Sequence, residues 1–489
     1  MILFLIFLIL LTFLTYVYVR WIQLKQYWSK RDVPHSPPHP LLGSMTFLQK
    51  ENAAIWFRRM AMKYQEPYIG IWVFWRPGLI INSPDLAKNI LIKDQANFRN
   101  RLASSGNTDP VGRLNLFSLN DPLWSVLRKH LTILFTGSKL RVVQNLVTKK
   151  SMELVQRIEK ERQKQEPMSL RSVMTDFSTD VIGTASFGLV SDATLNGTSH
   201  MRNITEEFMK FNFVRGLSWC SIFFIPEVAN FFRFKMFPSK STEYMRKILR
   251  IIIAQRGGTE NKVTEPRDLL DILIKIKQDS DMILAQCAVF LQGGFDTTAT
   301  TLSFAIYELA FNTVVQDKLY KELQEAKNKH GDGLLDASVL TQLTYLNCVI
   351  NEGLRKYPVF GWLDRVALGD YVVDDHLTIE AGTAVYVNVM GLHYNPEFYP
   401  DPDTFDPERF LPENRVDNKY FVYMPFGEGP RKCIGQRLGL TNIRHALTAI
   451  ILEYEVRPLP NFPKPIDIQL ERRGLVTVPA ETLSVDYLY

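Results

Sequence analysis

One cysteine, held in a stretch too rich in proline and glycine to be helix, constrains this chain more than any other feature. Met424 to Arg437 sets Cys433 among Gly427, Gly429 and Gly435, with Pro425 and Pro430 nearby and Arg431 and Lys432 directly before the thiol. Such density of proline and glycine excludes helix interior and favours a stiff loop whose backbone comes close to something. From Gln436 onward Leu438, Leu440, Ile443 and Leu447 recur at helical spacing. A thiolate just before a helix start, beside basic side chains, is favoured by the helix dipole and by the neighbouring charge. The loop is built to present one sulfur, although a lone cysteine is more often a small buried apolar residue, so the spacing around it has to decide.

Phe426, Gly429, Arg431, Cys433 and Gly435 fit FxxGxRxCxG, the haem-binding loop of the cytochromes P-450, at every defined position. The chain resembles that family. The resemblance implies a mainly α fold with small β sheets, arranged as a single large haem domain behind an N-terminal transmembrane anchor. It also implies haem b as cofactor, with Cys433 as the axial ligand of the iron and Phe426 and Arg431 in contact with the cofactor.

Length alone, 489 residues, suggests about three ordinary domains, but no repeat, Gly/Ser linker or low-complexity run divides the chain. One large domain is expected. The four cysteines, Cys220, Cys287, Cys348 and Cys433, show no CxxC or zinc spacing, which suits a reducing compartment. A net charge of +6, without a basic cluster interleaved with aromatics, gives no argument for nucleic acid. A membrane surface or an acidic protein is the better partner.

Met1 to Val19 carries no charge and as a helix spans about 28 Å, close to the hydrocarbon thickness of a bilayer. Residues 1–20 are read as an uncleaved signal-anchor, because a basic n-region and a small-x-small cleavage site are missing. Arg20, Lys25, Lys30 and Arg31 follow, so the positive-inside rule leaves the body in the cytosol, on the endoplasmic-reticulum membrane by the resemblance. The sequons at Asn196 and Asn203 then never meet the glycosylation machinery. Residues 21–45, with Pro34, Pro37, Pro38 and Pro40, are expected to be a stiff extended hinge, and 46–489 the haem domain.

A helix is expected over Ile55 to Tyr64, and a hairpin over Tyr68 to Ile81 turning around Arg76-Pro77-Gly78. Trp124 and Arg128 stand at i and i+4 on a helix face. In the family this pair sits over haem and bonds a propionate; Arg101 and Arg365 match further propionate arginines. Phe211 to Phe237 is dense in aromatics, with basic residues threaded through its second half, and resembles the family's substrate-entry segment, read as touching the membrane.

Asp281 to Asn312 has no Lys or Arg and is apolar on all sides, so it is expected as a helix buried in the body. Gly293-Gly294-Phe295-Asp296-Thr297-Thr298 interrupts it. Two glycines leave a groove for a diatomic ligand, and Asp296 and Thr297 supply an acid and a hydroxyl for a proton relay; alternatively the threonines back-bond to the preceding turn and Asp296 caps a kink. The motif matches the family's oxygen-activating helix, which favours catalytic roles for both residues. Glu352 and Arg355 form ExxR, and Arg409 follows in Pro407-Glu-Arg-Phe; by resemblance these three lock the core behind the haem. Tyr371 to Val389 alternates as a small sheet does.

No dinucleotide fingerprint, flavin domain or iron–sulfur spacing occurs. Electrons are therefore expected from NADPH through a separate cytochrome P-450 reductase, docked on a basic face at Lys432 and Arg437, with cytochrome b5 as a possible assistant. The resemblance is strongest to insect microsomal members related to the vertebrate drug-metabolising group, which implies a monooxygenase for lipophilic substrates: xenobiotics, insecticides, or steroid and juvenoid hormones. Phe117, Phe290, Phe295, Val359, Phe360, Leu363 and Leu475 are the expected pocket walls. Two other readings stay open at this stage, a haem-thiolate peroxide isomerase or dehydratase and a non-catalytic haem protein that binds ligands.

Overall fold

The computed structural model describes residues 1–164, 166–259, 263–331, 335–416 and 420–489. Helices dominate. Strands are short: β1 (Tyr68–Val73), β2 (Arg76–Ile81), β3 (Leu363–Val366), β4 (Tyr371–Val372), β5 (Thr378–Ile379), β6 (Ala384–Val387), β7 (Glu455–Pro458) and β8 (Val485–Leu488). Four of them form one sheet in the order β1-β2-β6-β3, and the rest make the pairs β4-β5 and β7-β8. This is the mainly α architecture with small sheets that the sequence suggests.

The charge-free stretch forms the longest helix, Ser280–Phe311, 32 residues and about 48 Å long. Asp279 starts it by accepting hydrogen bonds from the amides of Asp281 and Met282, satisfying donors that a helix start leaves unpaired. The helix runs unbroken through its two glycines, which do different things. A Cβ on Gly294 would lie 2.4 Å from Ile182, so that glycine lets the helix Leu170–Phe187 pack closely, whereas Gly293 faces open space.

The hairpin differs from expectation in its turn. Val73 pairs with Arg76, so Phe74 and Trp75 make the turn, Phe74 taking a left-handed φ of 58°. Arg76-Pro77-Gly78 lies inside β2. Pairing of β2 with β6 begins only at Gly78, so Pro77, which has no N–H to give, sits beyond the end of that ladder.

The N-terminal helix extends over Ile2–Lys25 and none of its residues is buried. After it the chain lies along the sheet. Trp28 is buried and donates to the Ile71 carbonyl at 2.9 Å, Trp72 donates back to the Leu24 carbonyl at 3.0 Å, and the Pro34 carbonyl accepts from Gly70 at 2.8 Å. A Cβ on Gly70 would enter the Trp28 ring. The proline-rich stretch is thereby fixed to the body.

Candidate active site

The loop around Cys433 is shaped by its glycines. Gly427 and Gly429 have φ of 69° and 76°, and a Cβ on Gly429 would stand 1.9 Å from the Leu91 carbonyl oxygen. Only glycine fits there. Backbone bonds close the loop on itself: Gly427 donates to Met424, Lys432 to Gly429, and Cys433 to the Phe426 carbonyl at 2.9 Å. Arg128, on the helix Leu123–Leu131, donates to the Lys432 carbonyl at 2.7 Å. The helix Gln436–Glu453 follows at once. Enclosure within the protein raises the Cys433 thiol pKa, although the side chain is open to the cavity, while the amides of Gly435 and Gln436 and the charge of Arg128 work in the other direction.

Cys433 lines a large internal cavity. The other three cysteines are buried elsewhere and do not line it. Phe117, Phe290, Val359, Phe360, Leu363 and Phe426 contribute apolar wall, with Phe117 and Phe360 stacked at 5.8 Å. Thr297 faces the cavity and its hydroxyl donates to the Gly293 carbonyl at 2.7 Å.

One edge of the cavity is strongly cationic. Arg101, Arg128, Arg365 and Arg431 all line it, together with Trp124 and the carboxylate of Asp364. The guanidinium of Arg431 lies over the Trp124 ring at 4.1 Å and that of Arg101 over Phe117 at 4.0 Å. Asp364 pairs with Arg101 at 3.3 Å. Burial first, then mutual repulsion with Arg101, pulls the pKa of Arg431 down to about 8 and that of Arg365 to about 9. Arg101 Nε and Arg431 Nη1 are buried without a hydrogen-bond partner among the described residues. Four guanidinium groups beside Asp364 give this edge an excess of positive charge that suits an anion.

A model of the cytochrome P450 family matches residues 34–484. The chain belongs to the cytochrome P450 family. It is similar to cytochrome P450 6k1 of Blattella germanica, 32% identical with 92% of this chain and 91% of the relative covered, and to cytochrome P450 6l1 of the same insect, 34% identical with 91% and 89% covered. Cytochrome P450 6a2 of Drosophila melanogaster is 34% identical, with 88% and 89% covered. The family is one of monooxygenases whose cofactor is haem, its iron held by a cysteine thiolate. The cavity suits that P450 cofactor: one sulfur faces it, and its cationic edge matches the two carboxylates of a haem.

Behind the cysteine loop, Arg355 donates twice to Glu352, at 2.7 Å each, and both side chains are fully buried. Arg355 also donates to the carbonyls of His393 at 2.9 Å and Pro402 at 2.8 Å. The amide of Asp406 donates to Glu352, and Arg409 closes the cluster at 3.6 Å.

Three expected site residues stand off the cavity. Asp296 is buried and ion-paired with Arg171 at 2.7 Å, with Gln292 donating to its other oxygen at 3.1 Å. Phe295 is buried in the core on the side of the long helix away from the cavity, where Ser178 of the neighbouring helix donates to its carbonyl at 3.0 Å. Leu475 is buried behind the wall, two residues before Thr477, whose amide donates to the Val359 carbonyl. Residues that sequence reasoning did not find include Asp364, Arg171 and Trp362; the first and last line the cavity, as does Phe223 of the aromatic stretch. Their signals, single aromatics and charges in ordinary surroundings, become specific only in three dimensions.

Proposed function

We propose that this P450 is a membrane-bound monooxygenase of lipophilic substrates, with Cys433 as haem ligand and electrons arriving from a separate NADPH-dependent reductase. The observation that carries the reading is a cavity with one sulfur on one wall, a hydroxyl on a long helix, aromatic sides and a cationic edge. When bound, haem supplies the activation of dioxygen, and a thiolate ligand donates the electron density that favours O–O cleavage.

The chain's own residues divide the remaining work. Amides of Gly435 and Gln436 hold the sulfur as an anion and restrain its basicity. Arg101, Arg128, Arg365 and Arg431 receive the two propionates, with Trp124 beneath Arg431. Thr297 presents a hydroxyl to the cavity and holds a proton against Gly293. Asp296 serves as proton source only once its carboxylate turns from Arg171. Aromatic walls at Phe117, Phe290 and Phe360 orient a bulky apolar substrate and exclude water; xenobiotics, insecticides and steroid or juvenoid hormones all fit that description.

The exposed apolar helix Ile2–Lys25 is long enough to cross a bilayer, and Arg20, Lys25, Lys30 and Arg31 at and after its C-terminal end support a body on the cytosolic face of the endoplasmic reticulum. Phe213, Val214, Phe231 and Phe232 are exposed and suit contact with the headgroup layer. Arg437 is exposed, while Lys432 is paired with Glu428 at 2.9 Å. They are the docking charges for an acidic reductase face, and Lys432→Glu with Arg437→Glu lowers the reduction rate in a salt-dependent way.

The test is the carbon monoxide difference spectrum of the dithionite-reduced protein beside Cys433→Ser, with NADPH-dependent turnover of lipophilic probes by full-length protein and added reductase. A red-shifted Soret band lost in the variant, and turnover that requires reductase, is the expected result. A histidine-type band in wild type overturns the ligand assignment.

A further inference from the structure

His393 ends the short helix Val389–His393, is fully buried, and lies outside the cavity. Its ring bridges two elements far apart in sequence. Nδ1 is 3.0 Å from the Arg355 carbonyl oxygen, and Nε2 is 3.2 Å from the Met424 amide nitrogen. A carbonyl can only accept and an amide N–H can only donate, so the two partners fix a neutral ring with its proton on Nδ1. Burial keeps the ring neutral, holding its pKa at about 3. Arg355 answers by donating to the His393 carbonyl, and the Tyr423 ring stacks on the imidazole at 5.5 Å.

Met424 is where the cysteine loop begins. Its carbonyl accepts from Gly427, and the Phe426 carbonyl accepts from Cys433. The Glu352–Arg355 pair is thus joined to the sulfur-bearing loop through one imidazole.

We infer that His393 is a positioning residue for the haem ligand: its Nε2, by accepting the Met424 N–H, sets where the Cys433 loop starts relative to the ExxR helix. This rests on the assignment of Cys433 as the ligand. The Nδ1 bond to Arg355 orients the ring, and the Nε2 bond acts on the loop.

The two bonds can be separated by substitution. In His393→Asn the amide nitrogen replaces Nδ1, keeping the Arg355 bond and losing the Met424 bond. In His393→Gln the amide oxygen replaces Nε2 and the losses are reversed. Each variant gives up one buried hydrogen bond, so a merely structural role affects both alike. The readouts, on full-length holoprotein in detergent, are the share of the reduced carbon monoxide complex lacking the thiolate-type Soret band, the haem reduction potential, and the thermal midpoint.

The expected result is that this share is roughly five- to tenfold larger in His393→Asn than in His393→Gln, the scale of one buried hydrogen bond, with a higher potential in Asn and similar thermal midpoints. Equal spectra and potentials in the two variants overturn the inference. Should either variant fail to fold, an α-hydroxy acid at position 424 removes the N–H while leaving His393 untouched. It is expected to reproduce the Asn spectrum, and a wild-type spectrum overturns the inference. Wild-type protein without a thiolate band refutes the Cys433 assignment instead.

Discussion

Two groups of buried arginines differ in what completes them. Behind the cysteine loop, Arg355 is satisfied by the protein alone, donating twice to Glu352 and otherwise to the carbonyls of His393 and Pro402. Along the cavity edge, Arg101 and Arg431 keep buried nitrogens without hydrogen-bond partners among the described residues. The electrostatics point the same way. Burial works against the charge of Arg355 but Glu352 more than offsets it, so its pKa is raised, whereas that of Arg431 falls to about 8 because burial is joined by repulsion. Burial alone does not say whether an arginine is structural or ligand-binding. The balance of its charge by neighbouring carboxylates does.

The contrast breaks most visibly at Glu352. Glu352→Gln leaves the Arg355 charge buried without its counter-ion, and removing one member of a buried pair typically costs about 3–5 kcal/mol. Thermal unfolding of full-length protein in detergent is expected to show that loss with and without haem. A loss confined to the holoprotein assigns this pair, too, to the cofactor.

Arg431→Leu is expected to have the opposite pattern. Without haem the substitution removes a buried cation opposed by Arg101 and Arg365, at the cost of its bonds to the Arg99 carbonyl and Asn120 Oδ1, so the apoprotein changes little. In the holoprotein it deletes a charge-assisted bond to a propionate, about 1.5–3 kcal/mol, equivalent to haem leaving roughly 10- to 100-fold faster. Transfer of haem to excess apomyoglobin measures this. Equal destabilisation of both forms places Arg431 with Arg355.

Much of this site is legible in the sequence, because its features are local. The cysteine loop announces itself by five residues at fixed spacing, and the long helix by the 32 positions from Asp281 to Asn312 without a basic side chain. Helical geometry also explains one miss. At about 100° per residue, Gly293, Thr297 and Thr301 share a face, while Phe295 falls about 160° from Thr297 and is turned to the core. Leu475 rested on resemblance, with no periodicity to support it. The hairpin turn was misplaced because Phe74 takes a left-handed φ without being glycine. His393 carries no local signal in the sequence, since both of its ring partners lie more than thirty residues away.

His393 sharpens the comparison through pH. Folded, its ring takes a proton only near pH 3, against an ordinary value of 6.5. Between those values the unfolded chain binds more protons, so stability is full above about 6.5 and falls as pH drops toward 3. The slope from this group approaches about 1.3 kcal/mol per pH unit midway between the two values. His393→Phe, which cannot titrate, is expected to flatten the acid limb of stability against pH relative to wild type. A parallel curve shows that other groups carry the acid sensitivity.

The smallest effect is expected at Arg409, which belongs to the Glu352 cluster by position but little by bonding. Its Nε stands 3.6 Å from Glu352 and 3.9 Å from Asp406 and has no hydrogen-bond partner among the described residues, while Nη2 donates to the Asp401 carbonyl at 3.0 Å. Arg355 already supplies Glu352 with two short bonds, and the Asp406 amide a third. Arg409→Ala therefore removes one carbonyl bond and a longer-range attraction, about 0.5–1.5 kcal/mol in total. Combined with Glu352→Gln it is expected to add almost nothing, because its attraction to the carboxylate has already gone. A loss as large as that of Glu352→Gln, or full additivity in the double variant, makes Arg409 an equal member of the cluster and requires the pair to be redrawn as a triad.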